Sequence, residues 1–146
     1  MCPGVSVSDR KRNWTKNFRV PDVVVFLNGT HAEDCGDYWC GGPDFAIEIV
    51  SPRDRTWKKL PFYERVGTRE LLIIDRRPWK LTLFRLTEGK LLDAGQSSFD
   101  DSLPLASLVV PLSFRLVGDQ LRPAIEVTHH DGWQRWLVAP IAGPTK

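Results

Sequence analysis

The sequence predicts an α+β domain in which a mixed β-sheet packs on at least one helix. Three observations lead to this prediction. The elements expected between residues 19 and 86 follow the order strand, strand, helix, strand, strand. The chain has 146 residues, which suits one hydrophobic core better than two. Its composition, 42% hydrophobic and 26% charged residues, is typical of a globular protein and excludes a disordered or fibrous chain.

The overall charge does not select a class of partner. A net charge of +2 falls short of the strongly basic footprint of a dedicated nucleic-acid binder. The three cysteines, Cys2, Cys35 and Cys40, are an odd number without an apolar leader, so we expect reduced thiols rather than disulfides or a zinc site. No run of about 18 apolar residues is present, which predicts a cytoplasmic protein without a membrane span.

Residues 1–19 are polar and basic, with Trp14 and Phe18 placed among lysines and arginines. Such a mixture is found where basic side chains neutralise phosphates and aromatic rings stack on bases. It is also typical of a solvated segment that leads into a domain. We favour the solvated segment.

The first strands are expected on either side of an irregular segment. Residues 19–30, "RVPDVVVFLNGT", predict a short buried strand that Pro21 and Asp22 open and an Asn-Gly turn closes. Residues 31–43 show no periodicity and are predicted to be a loop. Residues 44–51, "DFAIEIVS", form the clearest strand pattern in the chain.

Residues 53–67, "RDRTWKKLPFYERVG", place apolar side chains at helical spacing before a glycine stop. Proline is tolerated in the first turn of a helix, where its missing N–H has no partner. We therefore expect Pro61 in the first turn and the helix to begin at Thr56 or Trp57. Either Asp54 or Thr56 would be its cap.

The second half of the chain predicts more strands. Residues 70–75 and 79–86 read as a hairpin with a tight turn between them. Residues 90–99 predict an edge strand. Residues 104–118 predict a further strand or extended segment that Pro111 interrupts.

One acidic side chain is out of place in the strongest strand. Because side chains alternate between the two faces of a strand, Phe45, Ile47 and Ile49 form an apolar stripe, while Glu48 shares the other face with Asp44. A carboxylate is costly to bury without a partner or a cation. Glu48 is therefore expected either in a wet cleft or beside a positive charge.

Strand geometry indicates which second carboxylate can meet Glu48. Asp44 lies four residues away, or about 13 Å along the strand, so the two cannot bind one metal ion. Asp22 opens the preceding strand, and an antiparallel pairing would bring it towards Glu48 and Val50. Two converging carboxylates are the ligands that a hard cation such as Mg²⁺ requires.

Lys58 and Lys59, on the predicted helix, are candidates for the positive partner of Glu48. A lysine beside the attacking water and a scissile phosphate would orient the water and offset the charge of the transition state. Alternatively, Glu48 forms an ordinary salt bridge with an arginine and the lysines belong to a solvated helix face. Residue types alone leave both interpretations open.

Four segments in unbroken order resemble one protein family. The segments are "VPDVVVF", "GGPDFAIEIVSP", "KLPFYERVG" and "TRELLIIDRRPWKLTLFRL". Between about residues 18 and 87 they resemble the Uma-two family of restriction-type endonucleases, in the PD-(D/E)XK nuclease superfamily. The resemblance implies one restriction-endonuclease-like domain over residues 1–146, with a core of about 18–87 and a β-rich extension over 88–146. In that core a mixed sheet is flanked by helices.

The resemblance also implies a Mg²⁺-dependent (or Mn²⁺-dependent) DNA endonuclease that hydrolyses phosphodiester bonds. In this superfamily an acid opens one strand and a Glu-x-Lys triplet lies on the next, positions that correspond here to Asp22 and residues 48–50. Valine replaces the lysine of the triplet. The resemblance places the lysine in the following helix, at Lys59, four residues before a tyrosine, with Lys58 as the alternative. Asp22 and Glu48 would hold the metal, and Asp44 is a secondary candidate.

The resemblance carries further expectations about partners. Arg19, Arg53 and Arg55 are candidates for contacts with DNA phosphates. A homodimer is expected because two sites related by a two-fold axis can cut both strands of a duplex. Family members have a longer region before the first acidic strand, so part of the N-terminal layer is expected to be missing or supplied by a partner. A catalytically inactive module that binds nucleic acid or a protein is the alternative function.

Overall fold

The computed structural model describes residues 4–51 and 56–139, and strands dominate that part of the chain. In chain order its elements are β1 (Val7–Ser8), a 3₁₀ turn (Trp14–Lys16), β2 (Phe18–Arg19), β3 (Val23–Val25), β4 (Glu33–Asp34), β5 (Trp39–Cys40), β6 (Phe45–Val50), α1 (Thr56–Val66), β7 (Glu70–Arg76), β8 (Trp79–Thr87), β9 (Lys90–Ser97), β10 (Leu105–Ala106), β11 (Leu112–Gly118), β12 (Pro123–His129) and β13 (Arg135–Val138).

The central sheet has five strands in the order β3-β6-β7-β8-β9. The β6 and β7 strands are parallel, and every other neighbouring pair is antiparallel, so the sheet is mixed as predicted. Parallel strands need a crossover connection, which α1 provides between β6 and β7. The predicted hairpin is confirmed in β7 and β8, and the predicted edge strand in β9.

The central sheet is covered on both faces. Alternate residues of β7 enter two different cores, Leu71 and Ile73 on the side of α1, and Leu72 and Ile74 on the opposite side. A second sheet, β10-β11-β12-β13, fills the opposite side with Phe114 and other apolar side chains. The expectation of a mixed sheet flanked by helices is confirmed only in part, because among the described residues one helix, α1, covers one face and a β-sheet covers the other.

Helix α1 begins at Thr56, as expected, and ends before Gly67, whose φ of 78° suits a residue without a side chain. Pro61 is inside the helix, past its first turn, so the expected position of the proline was wrong. The proline is exposed, which keeps its ring away from the core. The cap candidate Asp54 lies outside the described residues.

The first part of the chain is more ordered than the sequence predicted. A small sheet, β2-β1-β5-β4, joins residues 4–19 to the segment that was expected to be a loop. Val7 and Ser8 are fully buried, and Trp14 stacks on Tyr38 at 4.7 Å between ring centroids. These strands have two residues each, too few to leave a periodic pattern, and they form because distant segments pair.

One further strand differs from the prediction, and another boundary agrees with it. The strand expected within residues 19–30 is reduced to β3, which is partly exposed because it lies at the edge of the central sheet. Pro111 separates β10 from β11, as predicted. Within residues 4–51 and 56–139, no helix has the length and apolar character needed to cross a bilayer.

Candidate active site

Glu48 lies on β6 with its side chain against α1, and only 5% of the residue is exposed. The hydroxyl of Tyr63 donates a hydrogen bond to Oε2 of Glu48 at 2.5 Å. Lys59 Nζ lies 3.5 Å from the other oxygen, Oε1. Residues four apart share one face of a helix, so α1 presents a cation and a phenol to the same carboxylate. Glu48 is thus buried beside a positive charge, one of the two situations that the strand pattern predicted.

Asp22 approaches the same segment of β6 from the sheet edge. Strands β3 and β6 are antiparallel, which is the condition under which the sequence brought Asp22 towards Glu48. Val23 lies opposite Ile47, and continuing this register by one residue brings Asp22 beside Glu48. The N–H of Asp22 donates to the carbonyl of Ile47 at 3.1 Å, and the N–H of Ile49 donates to Oδ2 of Asp22 at 2.7 Å. Asp22 is exposed, whereas Glu48 is buried.

Asp44 is at the other end of the strand pair and has other partners. Its Oδ2 accepts the N–H of Leu27 at 2.9 Å, and Arg69 Nη1 lies 3.9 Å from Oδ1. The N–H of Asp44 donates to the carbonyl of Val25. These contacts tie the end of β3 to the start of β6. The secondary site candidate therefore lies at the opposite end of this strand pair from Asp22 and Glu48.

Arg19 lies on β2 beside α1, with its Cζ 5.8 Å from the centre of the Phe62 ring. Burial raises the pKa of the neighbouring Tyr63 far above its usual value, and the charges of Glu48 and Asp22 raise it further, whereas the charge of Arg19 lowers it. Arg19 and Asp22 are therefore both close enough to the Tyr63 hydroxyl for their charges to change its pKa. Tyr63 keeps its proton and acts as a hydrogen-bond donor.

The remaining predicted residues are less closely associated with Glu48. Lys58 is exposed and precedes Lys59, and successive residues point about 100° apart around a helix. Lys59, rather than Lys58, makes the contact with Glu48. Arg53 and Arg55 lie outside the described residues.

Tyr63 is the site residue that sequence reasoning did not assign. The signal was present, because a tyrosine follows Lys59 by four residues and must share its helix face. The tyrosine nevertheless served only to mark the position of the lysine and was given no role of its own. Its contact with Glu48 is seen only in the structure, where its hydroxyl meets the carboxylate.

The carboxylates of Asp22 and Glu48 are the oxygen ligands that a metal ion could use at this site. Among residues 4–51 and 56–139, no group of three or more His, Cys, Asp or Glu side chains is arranged to hold a metal. A complete protein cage of the kind that zinc or calcium uses is thus lacking in that part of the chain. Mg²⁺ commonly binds through one or two carboxylates and completes its shell with waters and substrate phosphates. The pair Asp22 and Glu48 fits that requirement.

A comparison with protein families identifies the class of protein to which the chain belongs, a family of restriction-type nucleases. Residues 3–117 match the model of the Uma2 (Uma-two) family, whose description reads "Putative restriction endonuclease". Because the match covers more than three quarters of the chain, this protein belongs to the Uma2 family, and the resemblance found in the sequence is confirmed. The search of curated proteins found no match.

Proposed function

We propose that this protein is a Mg²⁺-dependent DNA endonuclease of the restriction type, in which Mn²⁺ can replace Mg²⁺. The observations that carry the proposal are the contacts of Lys59 and Tyr63 with Glu48 and the strand register that brings Asp22 next to Glu48. Membership of the Uma2 family supports it. Since its proposed substrate is DNA, we expect the protein in the cytoplasm.

Asp22 and Glu48 are proposed to hold the metal ion. One oxygen of each carboxylate is anchored, Oδ2 of Asp22 by the N–H of Ile49 and Oε2 of Glu48 by Tyr63. Within the described residues, Oδ1 of Asp22 accepts no hydrogen bond and is available as a ligand. When bound, Mg²⁺ supplies Lewis-acid polarisation of a phosphate oxygen.

Lys59 is proposed to orient the attacking water and to offset negative charge that develops on the phosphate. Its side chain is 16% exposed, so the ammonium acts in a partly desolvated position where its charge is weakly screened. Arg19 is proposed to contact a DNA phosphate. Its guanidinium makes no ion pair with an acid of the described residues, and its fork of N–H groups matches phosphate geometry. Arg53 and Arg55 remain proposed phosphate contacts.

Supercoiled plasmid incubated with the protein and Mg²⁺ tests the proposal. The parent should nick the plasmid, whereas Glu48→Ala and Lys59→Ala should lose nearly all activity. Glu126→Ala is a matched control, because Glu126 is also a strand glutamate with a basic partner, Arg115, but lies on β12. An inactive parent, or equal activity of parent and site variants, would overturn the proposal.

The same assay separates the alternatives that the sequence left open. A parent that shifts DNA in a gel but cuts none in Mg²⁺ or Mn²⁺ would instead be a nuclease-like binding module. Two-fold dimers would place two sites on one duplex, so linear product should form directly from supercoiled plasmid. Sedimentation of the protein with a short duplex would show whether that product coincides with a dimer.

A further inference from the structure

We propose that Tyr63 is a positioning residue that holds the Glu48 carboxylate in the orientation needed to bind the metal ion. This inference rests on the proposed function. It is carried by the 2.5 Å hydrogen bond from the Tyr63 hydroxyl to Oε2 of Glu48 and by the burial of both residues. Tyr63 is fully buried, so its ring has little freedom to move away from the carboxylate.

The surroundings of the Tyr63 ring fix the position of its hydroxyl. The ring belongs to the core between α1 and the central sheet and meets the Phe62 ring edge-on at 5.4 Å. A hydrogen bond from a hydroxyl to an ionised carboxylate is short and about twice as strong as a bond between neutral groups. Rotating the Glu48 carboxylate would break this bond in a buried site. The orientation of Glu48 is therefore imposed by the core.

The two partners of Glu48 differ in charge, and this difference matters for a cation. Lys59 approaches Oε1 as a cation, while Tyr63 approaches Oε2 with an uncharged hydroxyl. A second lysine at position 63 would fix the carboxylate but would also repel Mg²⁺. A phenol orients the ligand without opposing the metal. Partners of this kind typically change metal affinity or activity by about 10- to 100-fold when they are removed.

The chain offers a matched pair of variants for the test. It contains two tyrosines, and the other one, Tyr38, is also buried and donates its hydroxyl to a backbone carbonyl, that of Lys11, at 2.6 Å. Tyr63→Phe and Tyr38→Phe each remove one hydrogen-bonded hydroxyl from a tyrosine whose ring is packed in the protein. Binding of Mn²⁺ to DNA-free protein is measured by electron paramagnetic resonance, and plasmid nicking is followed as a function of Mg²⁺ concentration.

Tyr63→Phe is expected to bind Mn²⁺ about 10- to 100-fold more weakly and to need correspondingly more Mg²⁺ for half-maximal nicking, whereas Tyr38→Phe matches the parent. If the parent binds and cuts and Tyr63→Phe behaves the same, the role of Tyr63 is overturned while the nuclease stands. A parent that neither binds Mn²⁺ nor cuts overturns the nuclease proposal, and the role of Tyr63 with it.

A second variant keeps the test independent of how well Tyr63→Phe folds. Glu48→Asp retains both the charge and Tyr63 but shortens the side chain by one methylene, which draws the carboxylate away from the Tyr63 hydroxyl. It is expected to lose Mn²⁺ affinity to a similar extent. Parental affinity in Glu48→Asp would contradict the proposal, since binding would then not depend on the hydrogen bond to Tyr63.

Discussion

Asp22 and Ile49 are joined by a 2.7 Å hydrogen bond from the backbone N–H of Ile49 to Oδ2 of Asp22. The bond connects an exposed acid at the sheet edge to the residue that follows Glu48 in β6. It gives Asp22 two separable roles, because the carboxylate accepts a backbone hydrogen bond with one oxygen and is proposed to bind metal with the other. Substitutions that affect only one role can distinguish them.

Asp22→Asn should remove activity with little loss of stability, and Asp22→Ala should lower both. The amide oxygen of asparagine can still accept the Ile49 N–H, but the neutral group is a poor ligand for Mg²⁺. Alanine also removes the hydrogen bond, which costs about 1 kcal/mol in the free energy of unfolding. Plasmid nicking and urea unfolding of both variants provide the two measurements. Full nicking by Asp22→Asn would show that the charge of Asp22 is not needed.

Lys59→Met should reduce nicking by about 10²- to 10³-fold, whereas Lys58→Met should stay close to the parent. Methionine keeps much of the apolar stem and removes the charge that lies 3.5 Å from Glu48. The two substitutions are chemically identical and adjacent, so Lys58→Met controls for a general loss of positive charge. If Lys58→Met were the inactive variant, the catalytic lysine would be Lys58.

Arg19→Met should weaken DNA binding uniformly across sequences and reduce the salt dependence of binding by about one phosphate contact. Arg19 lies over Phe62 next to the site, so its loss should also raise the KM for plasmid. Binding to a short duplex is measured at several salt concentrations without Mg²⁺. Arg122→Met, an exposed arginine beyond β11, is the control. Equal salt slopes for Arg19→Met and the parent would argue against a phosphate contact at Arg19.

The raised pKa of Tyr63 predicts a loss of stability in alkali. The phenol of Tyr63 keeps its proton in the folded protein but ionises near pH 10 when unfolded, so its contribution is complete below pH 10. Above about pH 10, the unfolded state alone releases this proton. The stability advantage of the parent over Tyr63→Phe should then fall by about 1.4 kcal/mol per pH unit. Urea unfolding of both proteins between pH 8 and 11 checks this. A constant difference would contradict the burial of an un-ionised phenol.

The elements that the sequence predicted well are those with a strong local pattern. Strand β6 has an apolar residue at every second position, and α1 has apolar residues at helical spacing before a glycine. Strands β7 and β8 are apolar segments joined by a tight turn. Each pattern follows from the repeat of the element itself, so neighbouring residues are enough to reveal it. The bounds agree within a few residues.

The N-terminal sheet could not be predicted in this way. Strand β1 exists because Val7 pairs with Trp39, and β4 pairs with β5 in a segment rich in acids and glycine. Strands of two residues have no measurable period, and their stability comes from pairing and from contacts such as the stack of Trp14 on Tyr38. The C-terminal sheet that covers the central sheet was missed as a layer for a similar reason, since packing between layers leaves no local signal.

Residue types and spacing alone predicted an acid, Glu48, inside a buried strand and a second acid, Asp22, at the start of the preceding strand. They also predicted a basic helix after the strand that carries Glu48. Those features depend on alternation along a strand and periodicity along a helix, which are properties of local backbone geometry. Which groups meet Glu48 was settled by packing in three dimensions. The face of helix α1 that packs against β6 carries Lys59 and Tyr63, so these two residues contact Glu48. Which face of a helix packs against a sheet depends on the whole core and not on the residues of the helix alone.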